Sequence, residues 1–125
     1  MFEITRERSF SASHQLRNYK GRCERLHGHN WRVRVTLSAP GLDESGMVID
    51  FHELDEMMRA AIEPFDHRHL NEVPVFLEAN PSAEAIARVI GESVRDSLRG
   101  RPIRMARCDV WENDLSRARY IPDEE

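Results

Sequence analysis

Trp31-Arg32-Val33-Arg34-Val35-Thr36-Leu37-Ser38 alternates apolar and polar residues without a break. Successive side chains of a β-strand point to opposite faces. Trp31, Val33, Val35 and Leu37 therefore share one face, and Arg32, Arg34, Thr36 and Ser38 share the other. The stretch predicts a strand with one dry side and one wet side. Phe2, Ile4 and Phe10 fall at even spacing and predict an earlier strand over Phe2 to Ala12. Ile103 to Glu112 has β character, and Ala118 to Ile121 returns from a turn at Asn113-Asp114.

The dry faces need a cover, and two amphipathic helices supply it. Asp50 followed by Glu53 predicts a capping box, after which Phe51, Leu54, Met57, Met58, Ala61 and Ile62 recur at helical spacing until Pro64. Asn80-Pro81-Ser82 opens a second helix whose stripe is Ile86, Ile90, Val94 and Leu98, with Gly100 beyond its end. Just before the first helix, Met47-Val48-Ile49 is short and β-favouring. The order strand, strand, helix, helix, strand, strand is an α+β arrangement. Each helix offers a single apolar stripe, so the pair covers one sheet face. The other face carries Arg32, Arg34 and Thr36, which suits a wet interior or an assembly interface.

A chain of 125 residues with 40% hydrophobic and 32% charged content fits one domain over residues 1–125. Its core is small, which makes association with identical copies an understandable supplement. A formal net charge of -4 gives no long-range pull toward nucleic acid or an anionic membrane. The first residues lack a signal-peptide pattern and no apolar run approaches a membrane span, so a soluble, cytoplasmic protein is expected. Two cysteines, Cys23 and Cys108, are too few for a disulfide framework. Cys108, between Ala106 and Val110, predicts a buried small hydrophobe, His52 a surface residue, and the charged C-terminus a frayed tail.

Chemistry concentrates on the remaining histidines. In His27-Gly28-His29 an extended backbone points both imidazoles to one side, their α-carbons about 7 Å apart. His14, at the end of the first strand, reaches them if the first two strands pair antiparallel. Three histidines without a fourth protein ligand leave a metal position open for substrate or water, whereas a bare His-x-His is equally the mark of two surface histidines. Cys23 lies four residues before His27 among Lys20, Arg22 and Arg25, which favour its thiolate; a fourth metal ligand or an incidental thiol are the alternatives. Asp66-His67 offers a carboxylate beside an imidazole, as a proton relay requires or as any polar helix-end loop provides. Glu112, at a strand end, reads in isolation as a solvated carboxylate.

Taken together, Ser9-Phe10-Ser11-Ala12-Ser13-His14, Cys23-x-x-x-His27-Gly28-His29-Asn30-Trp31, Met47-Val48-Ile49-Asp50-Phe51, Asp66-His67-Arg68-His69-Leu70-Asn71, Asn80-Pro81-Ser82-Ala83-Glu84 and Trp111-Glu112-Asn113 run in order along nearly the whole chain. This pattern resembles the 6-pyruvoyltetrahydropterin synthase and 6-carboxytetrahydropterin synthase family. The resemblance implies the tunnelling fold: a four-stranded antiparallel sheet with two helices on one face, sheets of several subunits joining into a barrel, commonly a homohexamer of two stacked trimers. It implies Zn2+ on His14, His27 and His29, Cys23 as general base, and His67 as relay partner oriented by Asp66. It gives Glu112 a place on the pterin edge and in the relay, and Ser82 a place at the substrate. Ser82 stands where threonine is frequent, and His69 where tyrosine is often seen.

Three residues, Glu24, Arg25 and Leu26, separate Cys23 from His27. In the family, three is the spacing of the carboxy branch and five that of the pyruvoyl branch. The resemblance therefore implies conversion of 7,8-dihydroneopterin triphosphate to 6-carboxy-5,6,7,8-tetrahydropterin, a queuosine and deazapurine precursor, with loss of acetaldehyde and triphosphate. A pyruvoyl synthase, a zinc hydrolase that leaves Cys23 idle, and a non-catalytic zinc-binding assembly module are the rival readings. No Gly-rich dinucleotide fingerprint calls for a nicotinamide.

Overall fold

The alternation at Trp31 to Ser38 is realised in a strand longer than expected. A computed structural model describes residues 1–18 and 25–123. In it β1 (Phe2–His14) and β2 (His27–Ala39) pair antiparallel along their whole length, from Phe2 opposite Ala39 to His14 opposite His27. Both outgrow the hydrophobic alternation at the His14/His27 end, where ladder hydrogen bonds continue after the apolar pattern has stopped.

Helix α1 (Phe51–Ile62) and helix α2 (Ala83–Ser97) follow the two predicted stripes, except that Phe51 is exposed in the first turn of α1 and Leu98, though buried, is the C-cap of α2. Asp50 caps α1 by accepting from the His52 backbone N–H at 2.8 Å. The reciprocal half of the expected capping box does not form, because Glu53 is drawn to Arg101. Ser82 caps α2, accepting from the Ala85 N–H at 3.1 Å. Met47-Val48-Ile49 forms no strand; Val48 and Ile49 are buried in the lead-in to α1.

The sheet departs from the expected four antiparallel strands. Arg68–His69 forms a two-residue strand, β3, parallel to β1 and opposite Ala12 and Ser13. Strands β4 (Arg104–Asn113) and β5 (Ser116–Tyr120) complete a five-stranded mixed sheet of order β3-β1-β2-β4-β5, open at both edges. The long strands are antiparallel to one another as expected. The fifth arises because the chain leaving α1 is caught by β1: the His67 N–H donates to the Ser11 carbonyl at 2.6 Å.

Both helices share one core with the sheet, in which Trp31, Val33, Val35, Leu37, Leu54 and Ile90 are fully buried. Helix α2 approaches closely at Gly91, where an added β-carbon would stand 3.0 Å from Met105 and Tyr120 and 3.1 Å from Cys108. Asp55 of α1 reaches β1 instead, accepting from Arg8 at 2.8 and 3.1 Å and from Arg6 at 3.3 Å. The opposite face is a lattice of charges. Arg34 pairs with Glu7, Arg107 with Glu3 and Arg119 with Asp109, and the Arg32 guanidinium lies 4.1 Å from the centre of the Trp111 ring.

Candidate metal centre

Antiparallel register places His14 directly opposite His27, and Ala12 opposite His29. All three imidazoles project on the helix side, at the end of the sheet beyond the apolar core. Trp31 forms the floor. Its ring meets His14 edge-on at 4.9 Å and His29 at 5.2 Å between centroids, and its indole N–H donates to the Ala12 carbonyl at 3.2 Å. Phe10 stacks behind it.

The orientation of each ring is set by the backbone. His14 Nδ1 lies 2.8 Å from the Pro81 carbonyl, and His27 Nδ1 lies 2.8 Å from the Arg25 carbonyl. A carbonyl only accepts, so each Nδ1 carries the hydrogen, and a neutral ring then presents a bare lone pair at Nε2. The two Nε2 atoms face each other at 2.9 Å. Two lone pairs hold that separation only around a shared cation, either a proton or a metal ion.

Glu112 adds a carboxylate from β4. Its Oε1 is 3.0 Å from His14 Nε2, 3.1 Å from His29 Nε2 and 3.9 Å from His27 Nε2. The contact to His29 is close but poorly directed for a hydrogen bond, and His29 Nε2 is a buried nitrogen without a hydrogen-bond partner. Burial holds the His29 imidazole below its ordinary pKa; Glu112 opposes this and the neighbouring histidines add to it. One ligand atom from each of His14, His27, His29 and Glu112 lies within 4.8 Å of the others. Fixed Nδ1–H groups, converging Nε2 lone pairs and an adjacent carboxylate fit a divalent metal ion, and three nitrogens with one oxygen suit zinc.

Residues 3–123 match the family described as 6-pyruvoyl tetrahydropterin synthase. The chain belongs to that family. The 6-carboxy-5,6,7,8-tetrahydropterin synthase of Synechocystis is 37% identical, over 97% of this chain and 94% of its own. The Bacillus subtilis protein of the same name is 30% identical over 81% of this chain and 73% of its own. The 6-pyruvoyl tetrahydropterin synthase of Caenorhabditis elegans shares the fold with a TM-score of 0.84 at 23% identity, covering 98% of this chain and 96% of that one.

The other expected residues of this family member lie around the centre or apart from it. Asp66 and His67 pair at 2.9 Å on the β3 side of the sheet, and Asp66 also accepts from the Ser11 N–H at 3.1 Å. His67 adopts φ 59°, unusual for a residue with a side chain, and its ring is 82% exposed. Ser82 sits one residue beyond Pro81, whose carbonyl orients His14. Cys23 lies outside the described residues.

Two asparagines brace the chain leaving β1: Asn71, and Asn80, which leaves the cap of α2 to Ser82. Asn71 accepts from the Gln15 N–H and donates to its carbonyl, at 2.9 and 2.7 Å, and Asn80 does the same for Arg17 at 2.7 and 3.1 Å. The Arg17 guanidinium in turn donates to the carbonyls of Asn71, Phe76 and Ala79. Asn71 and Asn80 stand inside the quoted motifs, which was the available signal. Among the described residues, no helix is long and apolar enough to cross a membrane.

Proposed function

We propose that this chain converts 7,8-dihydroneopterin triphosphate to 6-carboxy-5,6,7,8-tetrahydropterin with release of acetaldehyde and triphosphate, in the supply of queuosine and related deazapurines. The observation that carries the reading is the 2.9 Å approach of His14 Nε2 to His27 Nε2, each ring already committed through Nδ1 to a carbonyl. Zn2+ held there by His14, His27 and His29 would act as a Lewis acid toward the substrate's side-chain hydroxyls.

The rest falls to the chain's own groups. Cys23, its thiolate favoured by Lys20, Arg22 and Arg25, takes the carbon-bound proton beside those hydroxyls. His67, oriented by Asp66 through Nδ1, leaves its second nitrogen open for proton transfer. The Ser82 hydroxyl accepts from the helix and keeps its own hydrogen to give to substrate. Glu112 is assigned both to the pterin edge and to the proton relay, and its Oε1, 3.0 Å from His14 Nε2, supports the relay part. The spacing from Cys23 to His27, and the name carried by the Synechocystis and Bacillus subtilis relatives, favour the carboxy product.

The chain acts as one domain in a cytoplasmic homohexamer, two trimers whose sheets join into a barrel. Its support is the charged sheet face and the open edges at β3 and β5. A Cys23→Ala variant tests the assignment of roles: it keeps its zinc and loses roughly 100- to 10,000-fold in turnover. Near-normal turnover, or loss of zinc, would remove Cys23 as the base.

A further inference from the structure

We infer that Glu112 is an exchangeable fourth ligand: before substrate arrives its carboxylate closes the metal site, and an entering hydroxyl takes its place. The inference rests on the metal reading of the histidine cluster. Ligand atoms of a tetrahedral zinc site stand about 3.3 Å apart, as follows from metal–ligand bonds of about 2.0–2.1 Å. Glu112 Oε1 meets that spacing toward His14 and His29, at 3.0 and 3.1 Å, and is looser toward His27 at 3.9 Å. Glu112 is also the residue that the ladder omits. Trp111 pairs with Arg117 and Asn113 with Ser116, and the register shifts between them. Alternation along β4 continues from Cys108 and Val110, which lie opposite Val35 and Val33, so Glu112 falls on the face of Trp31 and the histidines and its carboxylate enters the histidine set.

The same geometry makes the ligand replaceable. His14 and His27 are locked by carbonyls behind them, whereas Glu112 is 31% exposed and no hydrogen bond to its carboxylate is seen among the described residues beyond the histidine contacts. On displacement one metal–carboxylate bond breaks and one metal–hydroxyl bond forms. The released carboxylate is then beside the incoming hydroxyl as a hydrogen-bond acceptor. In the resting enzyme all four positions would then be protein ligands, and in the loaded enzyme the fourth would be held by substrate.

Zinc affinity, measured by competition with a chromophoric chelator, and the visible spectrum of the cobalt-substituted protein test this on wild type, Glu112→Gln and Glu112→Asp. Thermal melts of the metal-free proteins establish that the variants fold. Direct ligation predicts at least about a 10-fold weaker zinc affinity and a changed cobalt spectrum in Glu112→Gln. Glu112→Asp should show a similar loss, because the shortened side chain keeps the charge and withdraws the oxygen. Adding a non-reacting pterin with a vicinal-diol side chain should alter the cobalt spectrum of wild type more than that of Glu112→Gln. Unchanged affinity and spectrum in Glu112→Gln, or full retention by Glu112→Asp, would overturn the inference while leaving the three-histidine centre intact. Failure of wild type to bind zinc or cobalt would overturn both.

Discussion

His14 and His27 face each other across the β1–β2 ladder with their Nε2 atoms 2.9 Å apart, and each ring is turned into that position by a carbonyl at its far nitrogen. Ligand orientation therefore depends on the sheet register and on the segment before α2, not on the histidines alone. The consequences can be measured one at a time.

Trp31 supports two of the three rings from below and is fully buried. Trp31→Ala should lower stability by about 3–5 kcal/mol in denaturant unfolding and weaken zinc binding as well. Trp31→Phe keeps an aromatic ring in place but loses the 3.2 Å bond to the Ala12 carbonyl and leaves a small cavity, so it should cost less, about 1–3 kcal/mol. Equal losses for the two variants would show that the indole ring is not the support.

Asp55 ties α1 to β1. The hydrogen bond from Arg8 holds its carboxyl below the ordinary carboxylate value of 3.8; burial opposes this, and the charges of Arg8 and Arg6 add to the lowering. A depressed folded-state pKa contributes stability that is present above the unfolded value and lost as pH falls through the folded one. Asp55→Asn should therefore be less stable than wild type at pH 7 by about 1–3 kcal/mol, and the gap should close below about pH 4. A gap that persists unchanged at pH 2 would contradict the assignment.

Cys108 is buried, and that burial, with Asp109 beside it, pushes its thiol up to about 12. A thiol reagent at pH 8 should leave Cys108 untouched in the folded protein and modify it after unfolding. Cys23, read from its cationic neighbours, should react in the folded state. Two reactive thiols in native protein would show that Cys108 is more accessible than its packing indicates.

Gly91 sits where α2 touches the sheet, 3.0 Å of clearance separating a would-be β-carbon from Met105 and Tyr120. Alanine would gain helix propensity at the cost of a tight contact. Valine adds further volume against Cys108 as well, so Gly91→Val should lower stability by about 2 kcal/mol, seen as an earlier denaturant midpoint. An unchanged midpoint would mean that the helix can shift off the sheet.

Much of this was legible because the physics behind it repeats. The period-2 run of β2 and the two helical stripes are signals that packing itself requires, and they appear where expected. The three histidines were legible because an extended backbone fixes where two-apart side chains point. β3 was not: two residues carry no periodicity, and their pairing depends on the bonds that Ser11 makes to His67 and Asp66. The Pro81 and Arg25 carbonyls that fix the ring tautomers were equally hidden, since every residue has a carbonyl. Alternation along β4 puts Glu112 on the face of Cys108 and Val110, but its approach to the three histidines depends on the pairing of β4 with β2, which the pattern of one strand does not give.

Zinc-loaded protein should be incubated with 7,8-dihydroneopterin triphosphate, without nicotinamide, and the pterin product identified by mass spectrometry while acetaldehyde and triphosphate are quantified. 6-Carboxytetrahydropterin should form, with acetaldehyde and triphosphate in equal amounts, and metal-depleted protein should give no product. Release of triphosphate with a 6-pyruvoyl product and no acetaldehyde would contradict the carboxy assignment, and unchanged substrate would contradict the enzymatic reading altogether.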